Sequence, residues 1–298
     1  QSFVISGVTF GLAKRLKVPD DFFQLSQSIS FQYYNLNNYF TGLFTFGDGE
    51  ANNLAYTASL SRDNTRINPI FPTGGSSFNI SAKFTPPYSL FTGRDFSNLE
   101  NLPEFQDSSG NPLIALIDQE KFKWLEFYKI KFNGTWYTKI FADLVLKTQA
   151  DFGFIGTYNQ SRGNIPFERF FLGGDGMVNY ALDGRENIAL RGYPNQSLSN
   201  RDGSVIYNKF SLELRYPITL KPSASIYALT FLEAGNGYDS FRTFDPFNSK
   251  RSAGAGVRIF MPAFGLLGID FGYGFDNPNP NTFTPNGWET HFVIGQRF

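Results

Sequence analysis

Cysteine is absent from the 298 residues and histidine occurs once, at His291. The first absence excludes thiolate zinc sites, iron–sulfur clusters, disulfide staples and a cysteine nucleophile. The second leaves little for histidine-based metal binding or general-base chemistry. Neither sign of charge is in excess: 26 Lys and Arg balance 26 Asp and Glu, so the basic field on which nucleic-acid binding depends is missing. No stretch approaches the roughly 18 uninterrupted apolar residues of a membrane-spanning helix. Nor is there a helix-period segment of convincing length, an internal repeat or an interdomain linker, so a single domain over residues 1–298 is expected. The chain opens at Gln1 with neither an initiator Met nor a charged-then-apolar signal segment, which points to removal of whatever preceded it.

What is present is aromatic. Phe, Tyr and Trp make up 18% of the chain, yet hydrophobic residues total only 41% and the mean hydropathy is −0.25. Apolar surface is therefore concentrated in rings and interleaved with polar residues. Between Phe23 and Tyr33 the interleaving has period two: Phe23, Leu25, Ile29, Phe31 and Tyr33 share one face, and Gln24, Ser26, Ser28, Ser30 and Gln32 the other. Ile206, Phe210, Leu212, Leu214 and Tyr216 alternate in the same way with Lys209, Ser211, Glu213 and Arg215. Leu267, Ile269, Phe271, Tyr273 and Phe275 alternate with Gly268, Asp270, Gly272 and Gly274.

Read along the whole chain, this pattern predicts about eleven strands of barrel-wall length, near 3–15, 22–34, 51–62, 76–85, 121–132, 143–155, 204–216, 225–235, 251–260, 266–275 and 289–298. Proline and glycine punctuate their ends, as at Pro86-Pro87, Pro217, Pro222, Pro262 and Asn277-Pro278-Asn279-Pro280. Connections alternate in length: 86–120, 156–203, 236–250 and 276–288 are long, and 133–142, 217–224 and 261–265 are short. Outer-membrane barrels have this asymmetry, with long loops outside and tight turns in the periplasm. Lipid leaves only closed barrels as an all-β way across a membrane, because it cannot satisfy free backbone groups. Tyr33, Tyr34, Tyr128, Trp136, Tyr137, Tyr216, Tyr273 and Trp288 fall at or near strand ends, where amphipathic rings favour the interface. The expected fold is an all-β antiparallel transmembrane β-barrel. An odd strand count would place Gln1 on the outer side, so an odd number of upstream strands is expected and the chain would be the C-terminal part of a barrel of about sixteen strands.

Several motifs carry a resemblance. The chain closes on His291-Phe292-Val293-Ile294-Gly295-Gln296-Arg297-Phe298, in which Phe292, Ile294 and Phe298 share the lipid face, as in the C-terminal signal of outer-membrane barrels. Leu190-Arg191-Gly192-Tyr193 lies in the longest loop after Phe170-Phe171-Leu172-Gly173-Gly174. It is followed by Ser211-Leu212-Glu213 and by Phe231-Leu232-Glu233-Ala234-Gly235 on the next two strands. Together these resemble the barrel of the BamA-type outer-membrane assembly insertases, within the outer-membrane protein 85 superfamily. The turn Asn68-Pro69-Ile70-Phe71-Pro72-Thr73-Gly74-Gly75 resembles that family's Phe-Pro-Thr-x-Gly turn, with Gly74 where Asp is common. The resemblance runs from about Ser59 to Phe298, and the stretch Asp175–Asn187 enlarges the loop relative to the commonest pattern.

The resemblance implies that the longest loop folds into the lumen and clamps its Arg191-Gly192-Tyr193 tip to the wall at Glu213, Phe231 and Glu233. The last of these stands where the family usually has Asp. Parity supports the pairing independently, since Glu213 and Glu233 fall on the polar faces of neighbouring strands and a guanidinium fork can serve both. It further implies an outer-membrane insertase with no catalytic residues, cofactor or metal. Its partners would be unfolded outer-membrane protein clients, accessory lipoproteins and the lipid bilayer, with no nucleic acid. Clients would enter at a seam between the first and last strands, the latter carrying Phe292, Ile294, Gly295 and Phe298, with Gly295 weakening its pairing. N-terminal POTRA domains would complete the protein. Open alternatives are a two-partner-secretion translocator of the same superfamily, the barrel of a patatin-like phospholipase, a passive porin, and a barrel enzyme using His291, which parity instead assigns a polar contact in the lumen.

Overall fold

The period-two segments do form long strands. The computed structural model describes residues 1–39, 46–65, 69–177, 185–221, 223–279 and 281–295. The expectations placed on Asn68, Pro222, Pro280, Gln296, Arg297 and Phe298, and on part of the stretch 175–187, lie outside these residues. In chain order the wall strands are β1 (Ser2–Arg15), β2 (Phe23–Asn37), β3 (Gly49–Asp63), β4 (Gly74–Phe84), β5 (Tyr128–Phe141) and β6 (Leu144–Gly156). Two short strands, β7 (Phe170–Leu172) and β8 (Glu186–Ile188), follow within the next loop. The wall resumes with β9 (Ile206–Lys221), β10 (Ala224–Tyr238), β11 (Lys250–Met261), β12 (Gly265–Gly274) and β13 (Gly287–Ile294). The eleven wall strands make one antiparallel sheet in the order β1-β2-β3-β4-β5-β6-β9-β10-β11-β12-β13, and β7 and β8 pair in parallel by themselves.

Connections at one end of the sheet are long (38–48, 85–127, 157–205, 239–249, 275–286) and at the other short (16–22, 64–73, 142–143, 222–223, 262–264). Three sequence expectations need correction. The strand expected at 121–132 is shifted to β5. Residues 121 and 122 instead close a helix, α1 (Ile114–Phe122), which sequence periodicity does not reveal because only Ile117 on it is fully buried. Gly134 and Trp136, expected in a turn, lie within β5, where a Cβ on Gly134 would meet the Trp136 and Phe132 rings. Glycine there serves ring packing and not chain reversal. Finally, Pro217 does not end its strand. β9 continues to Lys221, and the missing proline N–H is absorbed by a register shift opposite Ile226 and Tyr227.

Burial is inverted relative to a water-soluble sheet protein. Leu212, Leu232, Ile259, Phe271, Phe292 and Ile294 are exposed on one face, while Glu213, Arg215, Glu233, Arg258 and Asp270 are buried on the other. Charged residues are almost never buried in a soluble protein unless paired, and so broad an apolar exterior would not stay monomeric in water. The apolar face looks outward at acyl chains and the polar face lines a lumen. Trp136, Tyr216 and Trp288 are exposed on the outer face, as the interfacial reading expected, but Tyr34 and Tyr137 are not. Tyr34 is buried against Phe167, ring centroids 4.6 Å apart, and Tyr137 lies beside the Arg215 guanidinium.

The lumen is layered. At the long-loop end, Phe127, Phe167, Phe170, Leu190, Tyr193 and Tyr207 belong to one apolar cluster. Towards the short-turn end, Phe71, Val145, Tyr227, Leu229 and Phe231 form a second. Phe71 comes from the 64–73 turn, so this Phe-Pro-Thr segment is more than a chain reversal: its ring meets Tyr227 edge-on at 5.3 Å. Between the clusters lies a charged layer. An outward Leu232 yields a prediction opposite to that for a soluble core. Leu232→Ala will cost under about 1 kcal/mol, against about 2–5 for a buried leucine, whereas Leu232→Lys will cost about 2–4 kcal/mol. Urea unfolding in lipid vesicles measures both.

Candidate functional site: a loop arginine shared by three wall carboxylates

The 157–205 loop enters the lumen and delivers Leu190-Arg191-Gly192-Tyr193 to the wall, where Arg191 is 9% exposed. Its Nη2 lies 2.7 Å from Glu233 Oε1 and 3.1 Å from Glu213 Oε2, its Nε donates to Glu233 Oε1 at 3.1 Å, and its backbone N–H donates to Glu233 Oε2 at 2.8 Å. The pairings expected with Glu213 and Glu233 are therefore both made. Phe231 supplies a platform, with the guanidinium carbon 3.7 Å from its ring centroid. That ring lies over Gly254 of the neighbouring strand, where a Cβ would come within 2.5 Å of it.

Asp270 on β12 completes the set, and sequence reasoning missed it. Its Oδ2 accepts from Arg191 Nη1 at 3.2 Å, and it is fully buried. The available signal was its position as the acidic residue on the lumen face of Gly268-Ile269-Asp270-Phe271-Gly272. Two further arginines stand behind the carboxylates. Arg258 binds Asp270 through two parallel contacts of 2.7 Å, and Arg215 Nε donates to Glu213 Oε1 at 2.6 Å. Ser211 Oγ, 3.3 Å away, and Lys209 Nζ, 3.6 Å away, attend Glu233 Oε1. Every carboxylate thus has at least two cationic neighbours. Such saturation is what a low-dielectric site demands, because an unpaired buried charge costs several kcal/mol.

Gly192 is required by conformation and by space. Its φ is +87°, and a Cβ there would lie 2.8 Å from Ser252 Cβ and 3.1 Å from the β12 backbone. The wall yields in return, for a Cβ on Gly272 would stand 2.7 Å from Gly192 N and one on Gly274 would stand 2.4 Å from Gly192 O. The loop backbone can therefore lie directly on that of β12. Gly192 N–H donates to His291 Nε2 at 2.8 Å, and Gly192 O accepts from Asn286 Nδ2 at 2.9 Å. His291, on β13, is a buried polar contact of the lumen, as parity indicated, and the acceptor role of Nε2 puts the neutral-ring proton on Nδ1. Tyr193 donates from its hydroxyl to Arg251 O at 2.6 Å. Burial pushes its phenol up to about 12, so it remains a neutral donor.

Phe292 and Ile294, expected at a seam, point outward from β13 and are 53% and 70% exposed. Gly295 follows the strand with φ +99°, a conformation that favours glycine, and donates its N–H to Leu266 O at 2.9 Å. The clamp and these outward residues lie on opposite faces of adjoining strands and do not touch.

The fold and the clamp define an outer-membrane-type antiparallel β-barrel wall with an inward-docked arginine loop. The chain belongs to the Omp85 superfamily, whose domain matches residues 12–298, and so reaches further towards the start than the motifs alone indicated. It is similar in structure to BamA from Haemophilus ducreyi lacking POTRA domains 1-3, at 15% identity and a TM-score of 0.64, over 98% of this chain and 54% of that one. It is also similar to CdiB from Escherichia coli, at 14% identity and a TM-score of 0.52, over 97% of this chain and 44% of that one. The chain thus spans about half the length of these structures. No curated protein sequence matches it.

A shared guanidinium predicts strong non-additivity. Arg191→Ala and Glu233→Gln will each cost about 3–4 kcal/mol by urea unfolding in vesicles, and the double variant will fall short of their sum by about 2 kcal/mol. Asp270→Asn will show the same coupling to Arg191→Ala.

Proposed function

We propose that this chain is the barrel portion of a non-enzymatic insertase that assembles β-barrel proteins into the outer membrane. The observation that carries the reading is the docking of the Arg191 loop onto β12 and β13, which fixes the wall beside the place where a seam, on opening, would expose a strand edge. An edge strand presents a row of unpaired backbone donors and acceptors, and lipid makes each of them costly. An unfolded client strand relieves that cost by adding to the edge, which is β-augmentation. Membership of the Omp85 superfamily and the BamA-like fold support this assignment.

In this reading β13 meets the first strand of the whole barrel in a weak seam, and Gly295 weakens it further because glycine has no side chain to pack. The loop holds the neighbouring wall rigid, so that opening is confined to the seam. Clients arrive unfolded from the periplasm with the help of POTRA domains and accessory lipoproteins, and leave into the bilayer. Covalent chemistry has no part in these steps. His291, whose Nε2 is already engaged by Gly192, acts as a loop contact and not as a general base.

The likeness to CdiB favours a second reading, in which a barrel of the same superfamily passes an exoprotein through its lumen as a two-partner-secretion translocator. The two are separated by what crosses the membrane. With the full-length protein in vesicles, Arg191→Glu will slow insertion of an unfolded outer-membrane protein roughly tenfold, and adding Glu233→Arg will partly restore it. Insertion that ignores both substitutions, with exoprotein release into the vesicle lumen tracking them instead, would replace the insertase by the translocator.

A further inference from the structure

The loop that carries Arg191 also carries two acids that the clamp does not use. Glu168 and Glu186 face the lumen side of β4 and β5, where Lys83, Lys129 and Lys131 converge. Lys83 Nζ pairs with Glu168 Oε1. Lys129 Nζ donates to the Glu168 carbonyl oxygen at 2.8 Å and lies 3.2 Å from Glu168 Oε2 and 2.9 Å from Glu186 Oε2. Lys131 Nζ donates to Glu186 Oε1 at 2.8 Å. The result is a chain of alternating sign in which wall lysines are interleaved with loop glutamates. Lys129, at its centre, is 5% exposed and also lies 4.7 Å from the Phe170 ring centroid.

The acids flank a short parallel pairing within the loop. β7 and β8 pair in parallel with Phe170 opposite Glu186, and Glu186 N–H donates to Arg169 O at 2.9 Å. Glu168 has φ +62°, a left-handed conformation rarely adopted outside glycine, asparagine and aspartate, and it persists only where the surroundings over-determine it. Burial pushes both carboxyls up, but the neighbouring ammonium groups, Lys129 foremost, outweigh it and hold them below the ordinary carboxylate range. This contact is separate from the clamp: β5 is two strand steps from β9, the nearest clamp strand, roughly 10 Å along the sheet.

We propose that Glu168 and Glu186 form a second anchor of reversed polarity, so that the loop spans the lumen as a crossbar fixed independently at two walls. The clamp fixes the tip of the loop on β12. The lysines of β4 and β5 fix its earlier part, around Glu168 and Glu186, at a separate place on the wall. The inference concerns where the loop sits and does not depend on what the barrel transports or inserts.

The 298 residues contain no cysteine, so two introduced cysteines give unambiguous labels once any cysteine elsewhere in the full-length protein is replaced by serine. Met177 in the loop and Phe247 on the rim are 41% and 95% exposed and suit the substitutions M177C and F247C. Distances between these labels are measured by pulsed electron resonance in the full-length protein reconstituted in phosphatidylcholine vesicles. E186K is expected to raise the undocked loop population about tenfold, the swap E186K/K131E to return it to the parent value, and the same rise to recur in an R191A background. An unchanged distribution in E186K, a swap that restores nothing, or a rise that vanishes in R191A overturns the second anchor. Should E186K fail to fold, as judged by heat-modifiable gel migration, E186Q and K131Q replace it. A double neutral variant no looser than the looser single supports the anchor, and additive loosening overturns it.

Discussion

A guanidinium removed from water must be matched by negative charge at hydrogen-bond distance, and the architecture of this lumen follows from that demand at Arg191. Its three carboxylate partners come from β9, β10 and β12, so a single side chain fastens the loop across several wall strands. Three acids around one cation would be poorly balanced by themselves. Arg215 and Arg258 behind them restore the balance, and these in turn rest against Tyr137, Tyr227 and Asp270. Each layer makes the next tolerable, which is how a buried polar network differs from a set of isolated pairs.

The second requirement is room. A loop backbone cannot approach a sheet backbone closely through a layer of side chains. Gly272 and Gly274 leave β12 bare where Gly192 lies, Gly254 admits the Phe231 ring, and Gly256 admits the Asp270 carboxylate, whose oxygen would otherwise collide with a Cβ. Glycine normally weakens a strand. Here the loop occupies the vacated space and returns packing and hydrogen bonds through His291 and Asn286. The apolar clusters above and below the charged layer then shield it from bulk water, which strengthens every pairing within it.

This arrangement has a mechanical consequence for the wall. Strands β9 to β12 are tied to one loop, and β4 and β5 meet that same loop through Lys83, Lys129 and Lys131, whereas β13 is held by its pairing with β12 and by the His291 contact. Stiffness is therefore unevenly distributed along the sheet.

How much of this was legible in the primary structure depended on whether the signal was local. Alternation over a dozen residues places the strands and their two faces, and the parity of Glu213 and Glu233 puts both acids in the lumen. Pro217 misled because it resembles chain punctuation, while the bulge that accommodates it depends on pairing with the neighbouring strand. Asp270 was assigned to the polar face but not to the site, and Lys83, Lys129 and Lys131 gave no sign of facing Glu168 and Glu186. Side-chain period two follows from the covalent geometry of one extended chain, so the sequence by itself determined which face each residue takes. Which charges meet was decided only by tertiary structure, because contacts between residues 42 and 79 positions apart, as from Arg191 to Glu233 and to Asp270, depend on strand register and on the path of the loop through the lumen.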